Sequence, residues 1–375
     1  MKRILAVVLA LLMLIPCGVA YAIGETAQSV CLVNAVTGEV VFEKNAIEKR
    51  SMASTTKIMT LVVALENSEM DEVVTVPVEA TLEEGSSAYL RPDSKITMKD
   101  LLHGLMLNSG NDAAVAVAYH ISGNIEDFAK LMTETAHRIG ADNTQFMNPN
   151  GLEAEGHYTT ARDLALITQY ALSLDGFTDI VSKRTYTGAM TMPDGSVIEI
   201  PYSKHNRLLG EREGCIGVKT GFTKAAGRCL VTAVSNNGAQ YIAVTLNDSD
   251  DWNTHKALYE YAYTEQREKT IIKKGDCIRH AVSGNDTAEL VAASDYSVYL
   301  NKSDPRNFQV EICVPEEVDF PLNKGEKVGY VSVLSNNREI GRVDVIAKDE
   351  FNPQKEAKVK NCYYFTVLTL LRNFL

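Results

Sequence analysis

The sequence predicts an α/β domain of the α+β kind, an antiparallel sheet flanked by helices, followed by a small all-β domain and a C-terminal amphipathic helix. Three observations predict it. A strand hairpin near the start feeds a helix of period 3.6. The middle of the chain is helical, and paired strand signals return from Thr185. From about Thr270 helical periodicity disappears until the tail. A chain of 375 residues has length for one large domain and one smaller one.

The N-terminus reads Met1, Lys2, Arg3, an apolar run from Ile4 to Ile15, then Ala20-Tyr21-Ala22. A basic start, an apolar stretch and a small-x-small site predict an exported chain cleaved after Ala22. The rivals are an uncleaved anchor and a lipoprotein at Cys17, the latter disfavoured by Pro16 and by the better site after it. The expected divisions are a leader over 1–22, a catalytic domain over 23–268, a β-domain over 269–350 and a helix over 351–375. Cys31, Cys215, Cys229, Cys277, Cys313 and Cys362 remain after the leader. Their spacing fits neither a disulfide framework nor a metal site, so they read as mostly free, partly buried thiols. The formal charge of −11 becomes −13 without Lys2 and Arg3. That balance, with export, excludes nucleic acid as a partner.

The elements follow in order. Val30 to Val33 and Val40 to Phe42 read as strands around a turn at Thr37-Gly38. Ser54 opens a helix whose inward face is Ile58, Leu61, Val62 and Leu65. Residues 70 to 95 read as an exposed loop with short strands. Thr97 to Asp100 resembles a capping box with aspartate for glutamate, and it starts a helix ending at Asn108-Ser109-Gly110-Asn111. Another helix starts at Asp112. A third runs from Ile125 to Ile139, closed by Gly140. Thr160 to Asp163 is a second box of the aspartate kind. After Thr185 come a hairpin turning at Met192 to Ser196, a glycine-punctuated segment from Gly214 to Thr223, two strands meeting at Asn236 to Gly238, and a helix from Asp251 to Tyr263. Strand candidates at 297–300, 308–314, 327–334 and 341–347 make up the β-domain. In the tail, Lys355, Lys358, Lys360 and Arg372 face a single acid, Glu356, and Tyr363 to Leu375 is mostly apolar. A basic start and an apolar body predict a helix lying on an anionic membrane surface, with docking on the β-domain as the rival.

The chemistry sits in three short segments. Ser54 and Lys57 share a helix face, and a lysine at the positive end of a helix is unexpected unless it is held for use. A desolvated lysine beside a serine loses its proton readily and activates the hydroxyl. Ser109 and Asn111 lie in a tight interhelical turn, where capping is the competing explanation. Lys219-Thr220-Gly221 lies among sheet signals, and a cation with a hydroxyl donor suits a carboxylate. S-x-x-K with S-D-N and K-T-G, in this order, is the signature of serine β-lactamases and penicillin-binding proteins, and this chain has S-G-N in the middle place.

The chain resembles the low-molecular-mass penicillin-binding proteins of the D-alanyl-D-alanine carboxypeptidase type, peptidase family S11. The resemblance spans A-S-T-T-K-I-M-T at Ala53 to Thr60, S-G-N-D-A-A at Ser109 to Ala114, N-P-N-G-L at Asn148 to Leu152, H-Y-T-T-A-R-D-L-A at His157 to Ala165 and G-V-K-T-G-F-T at Gly217 to Thr223. It implies a serine β-lactamase/transpeptidase-like fold and an acyl-enzyme route on peptidoglycan stem peptides. Ser54 is then the nucleophile and Lys57 its base. Ser109, with Lys219, relays a proton to the leaving D-alanine. Asn111 holds the lysine or the substrate amide. Lys219 and Thr220 bind the terminal carboxylate, with Arg207 nearby. Backbone N–H groups of Ser54 and Phe222, following Gly221, hold the oxyanion. No cofactor and no metal is implied, β-lactams are implied as covalent inhibitors, and the site of action is the outer face of the bacterial cytoplasmic membrane. The oligomeric state is not readable. Asn150 stands where the family often has histidine, and Phe222 where histidine or tyrosine is common. His157 reads as a loop brace. A β-lactamase, a DD-endopeptidase or transpeptidase, and an inactive wall-binding protein are the alternatives. The absence of a deacylation glutamate motif between Asn111 and Lys219 argues against the first.

Overall fold

β1 (Ala27–Asn34) and β2 (Val40–Lys44) pair antiparallel in the computed structural model, which describes residues 23–361 apart from 237, 284–285, 302–307, 317–320, 336 and 353–357. Asn34 Oδ1 accepts the amides of Val36 and Thr37, and Gly38 supplies φ +71°, which closes the turn. A 3₁₀ turn, Ala53–Thr56, then leads into α1 (Lys57–Asn67). Every residue of α1 from Lys57 to Ala64 is buried. The expected one-sided helix is therefore a central one, enclosed on all sides, which its run of apolar and small residues permits.

The segment expected as an exposed loop is mostly structured. It holds β3 (Val73–Thr75), a 3₁₀ turn at Val78–Leu82 and β4 (Lys95–Thr97), and it buries Val74, Val76, Ala80, Ala88 and Leu90. α2 (Met98–Leu107), α3 (Asn111–Ser122), α4 (Ile125–Ile139) and α5 (Ala161–Ala171) follow. Thr97 and Thr160 accept the amides of Asp100 and Asp163, as capping residues do. Neither aspartate completes the box. Asp100 accepts from the Tyr186 hydroxyl and the Ala189 amide, and Asp163 from the Asn143 amide and the Thr144 hydroxyl. One methylene shorter than glutamate, each carboxylate ties its helix to another segment instead.

β5 (Thr185–Thr191) and β6 (Val197–Ser203) complete a four-stranded sheet of order β3-β4-β5-β6. β7 (Cys215–Thr223), β8 (Gly227–Asn236) and β9 (Ala239–Asp248) join the first hairpin in the main sheet, order β2-β1-β9-β8-β7. α6 (Asp251–Glu265) covers one face. Alternation along β1 sends Val30 and Leu32 toward Leu258 and Tyr259 of α6, and Cys31 and Val33 toward the core around α1. β7 is the edge strand, so one side of its backbone faces outward.

β10 (Gln266–Ile272) begins where α6 ends, with no linker. The β-domain continues with β11 (Cys277–Ser283), β12 (Asp286–Ala292), β13 (Tyr296–Asn301), β14 (Gln309–Cys313), β15 (Lys327–Ser335), β16 (Arg338–Ala347) and β17 (Lys358–Asn361). Six of these strands form one sheet, β14-β15-β16-β12-β11-β17, over a separate core that includes Ile278, Leu290, Val331 and Val345. β17 corrects the helix expected from 351. Lys358 to Asn361 pairs antiparallel with β11, Val282 opposite Lys358 and Arg279 opposite Asn361. The alternation in Lys358-Val359-Lys360 has the period of a strand. The apolar stretch 362–375 and the leader 1–22 lie outside the described residues. Among the described residues no helix is long and apolar enough to cross a membrane.

Candidate active site

Ser54 sits in the 3₁₀ turn ahead of α1, half-buried, with Ala53 before it held at φ +47°. A non-glycine residue in that region is strained, and such strain gathers at functional turns. Lys57 is the first residue of α1 and has no exposed surface. Its Nζ lies 3.1 Å from Ser54 Oγ, 2.7 Å from Asn111 Oδ1 and 2.6 Å from the Asn150 carbonyl oxygen. Burial holds its pKa well below the ordinary lysine value, and the positive charge of Lys219 pushes the same way. The carboxylates of Asp112 and Glu83 oppose that shift. A neutral amine in this place has its lone pair beside a hydroxyl.

Ser109 is in the left-handed region, φ +58°, and faces the same cleft as Ser54. Gly110 follows because a Cβ there would lie 2.7 Å from Asp112 Oδ1 and 2.9 Å from the Ala88 amide. Asn111 is buried. Its oxygen accepts from Lys57 and its Nδ2 donates to the Glu84 carbonyl at 2.5 Å, so in this structure it holds the lysine. Asp112 accepts from Ser87 Oγ (2.6 Å), the Ala88 amide (2.8 Å) and the Leu90 amide (3.1 Å), which seats the 84–90 segment over α3.

β7 forms the opposite wall. A Cβ on Gly221 would meet the Ser54 amide nitrogen at 3.0 Å and the Thr55 nitrogen at 3.1 Å. The strand backbone therefore lies directly against the nucleophile turn. Lys219 is 1% exposed and donates to the Thr220 carbonyl at 2.6 Å. Burial brings its pKa down to about 7. Ser54, Ser109, Arg207, Thr220, Gly221 and Phe222 all line one cleft of about 540 Å³. Lys57, Asn111 and Lys219 are not among its lining residues; they lie beneath it. Arg207 is mostly exposed and pairs with Glu211 at 3.3 Å.

The sequence reading left out several cleft residues, namely Ser86, His205, Arg228, Asp251 and Trp252. Arg228 pairs with Asp251 at 2.6 Å and lies over the Trp252 ring. Only the register that puts Arg228 opposite Phe222 could have pointed to it. His157 ties Thr56 Oγ1 (2.9 Å) to the Met147 amide (3.0 Å), and burial pushes its pKa down to about 4. Among the described residues no group of three or more His, Cys, Asp or Glu could hold a metal. Among the described residues, Cys31, Cys215, Cys229 and Cys313 are free thiols.

A family model described as D-alanyl-D-alanine carboxypeptidase matches residues 20–250, and one described as the C-terminal domain of penicillin-binding protein 5 matches residues 267–352. The D-alanyl-D-alanine carboxypeptidase DacF of Bacillus subtilis is 29% identical over 340 residues, 88% of this chain and 86% of the relative. DacC of Escherichia coli, named for the same activity, is 30% identical over 344 residues, 86% of this chain and 84% of the relative. The crystal structure of the carboxypeptidase DacD from Francisella tularensis is similar at a TM-score of 0.62 and 25% identity, covering 88% of this chain and 94% of that one.

Proposed function

Because the chain belongs to the D-alanyl-D-alanine carboxypeptidase family, we propose that it removes the terminal D-alanine of peptidoglycan stem pentapeptides through an acyl-enzyme on Ser54. The observation that carries this reading is the buried Lys57 amine, held by Asn111 and Asn150 against the Ser54 hydroxyl. Neutral Lys57 takes the Ser54 proton as Oγ attacks the carbonyl of the penultimate D-alanine. The oxyanion forms beside the Ser54 amide and the β7 backbone at Phe222, and charge developing there is stabilised by fixed N–H groups. Ser109, with Lys219, passes a proton to the leaving amine, and free D-alanine departs. Lys219 and Thr220 receive the terminal carboxylate, with Arg207 at the rim. Water then cleaves the ester and restores the Ser54 hydroxyl. The outward edge of β7 offers an extended peptide backbone hydrogen bonds. β-Lactams, as mimics of the same dipeptide, acylate the same oxygen.

The basic, apolar and small-residue pattern of 1–22 supports export to where peptidoglycan lies. Peripheral attachment to the anionic membrane surface rests on the apolar stretch from Tyr363 to Leu375 alone, since Lys358–Asn361 belongs to a sheet. The test is release of D-alanine from a stem pentapeptide by the purified chain. The native protein is expected to release it and Ser54→Ala to release none. Penicillin destruction without D-alanine release would replace this reading by a β-lactamase.

A further inference from the structure

Lys57 has two acceptor partners besides Ser54, and consecutive residues of one loop hold both. The Glu84 carbonyl accepts from Asn111 Nδ2 at 2.5 Å, and the Glu83 carboxylate accepts from Asn150 Nδ2 at 2.8 Å. Asn111 and Asn150 in turn present their oxygens to Lys57 at 2.7 and 2.6 Å. Asn150 has no freedom left, since its Oδ1 accepts the Leu152 amide at 3.0 Å. The 83–84 segment is itself fixed from the other side, because Asp112 holds Ser87, Ala88 and Leu90. Glu83 lies beyond Asn150 and does not line the cleft.

We propose that Glu83 is a positioning residue for the acylation step: through Asn150 it fixes the carbonyl that orients the Lys57 amine, and its negative charge sets how readily that amine gives up its proton. This rests on the acyl-enzyme reading above. Among the described residues, the charged groups felt by Lys57 are Lys219 from β7, Asp112 from α3 and Glu83 from the loop after the 78–82 turn. Lys219 favours the neutral amine, and the two carboxylates favour the ammonium. Asp112 is committed to the loop amides, which leaves Glu83 as the charge whose carboxylate accepts from a ligand of the lysine. The linkage is reciprocal. Burial raises the Glu83 pKa, while the Asn150 bond and the Lys57 charge draw it down.

Only neutral Lys57 serves as base, so the acid limb of acylation follows its deprotonation. Removing a nearby negative charge makes that deprotonation easier, which moves the limb to lower pH. The experiment is the second-order rate of acylation of the full chain by a fluorescent penicillin, across the pH range where the fold is intact. It compares the native protein, Glu83→Gln and Glu83→Ala. Gln keeps an oxygen for Asn150 and drops the charge. Its acid limb is expected to fall by roughly 0.5–1 pH unit. Ala is expected to show the same displacement and a lower plateau, through loss of the tie. An unmoved acid limb in a folded Gln variant overturns the proposal, whatever its plateau. Unfolding of both variants also overturns it, by making Glu83 a stability residue. A native protein that is not acylated at any pH would instead remove the acyl-enzyme reading itself.

Discussion

Replacing Lys57 by methionine leaves a folded protein that benzylpenicillin acylates about 10³-fold more slowly or worse, the loss expected of a removed general base. Ser54 remains, but nothing then takes its proton. Stability is expected to change little. The substitution strands two acceptors, Asn111 Oδ1 and the Asn150 carbonyl, at about 1–3 kcal/mol each if they stay dry. It also ends the burial of an amine beside Lys219, which offsets that cost. Methionine fills a similar volume with a flexible chain. Adduct time courses beside a thermal melt check both halves. A near-native rate in the folded variant would show that another group activates the serine.

Gly151→Ala is expected to damage both fold and activity, although Gly151 touches no substrate. A Cβ at this position would lie 2.0 Å from the Ala53 carbonyl oxygen and 2.9 Å from Thr56 Oγ1. Its φ of +91° adds strain for any residue but glycine. The neighbours in question are the 3₁₀ turn that carries Ser54, so relief of the clash must move the nucleophile or residues 150–151. The latter would pull the Asn150 carbonyl from Lys57. A loss of roughly 3 kcal/mol or more is expected in urea unfolding, from overpacking and backbone strain together. Acylation of the folded fraction should fall about 10²-fold, as it does when reacting groups are misplaced by an ångström. Native behaviour in both assays would mean that the turn is softer than its contacts indicate.

Local chemistry explains what could be read from the sequence. Ser54 and Lys57 are three residues apart, Ser109 and Asn111 share one turn, and Gly221 follows Lys219 on a strand, so each piece is visible in a few residues. Their assembly is not. Lys57 meets Asn150, which is 93 residues away, and Asn111, which is 54 away. Asn150 was conspicuous only as a departure from a family pattern, and Glu83 sat in a stretch that read as an exposed loop. The acidic run there hid a half-buried carboxylate tied to the lysine's ligand. The aspartate boxes misled in a different way, since the caps form but the acids bond elsewhere. At Lys358–Asn361 the charge and apolarity of the tail outweigh the short alternation of β17, so the sequence points to a helix where the structure has a strand.

Intact-mass analysis of the native chain and Ser54→Ala after incubation with benzylpenicillin tests the nucleophile most directly. A lasting one-drug adduct on the native protein, absent from Ser54→Ala, is the expected result. An adduct of equal yield on the folded Ser54→Ala variant, or none on the folded native chain, would contradict an acyl-enzyme on Ser54.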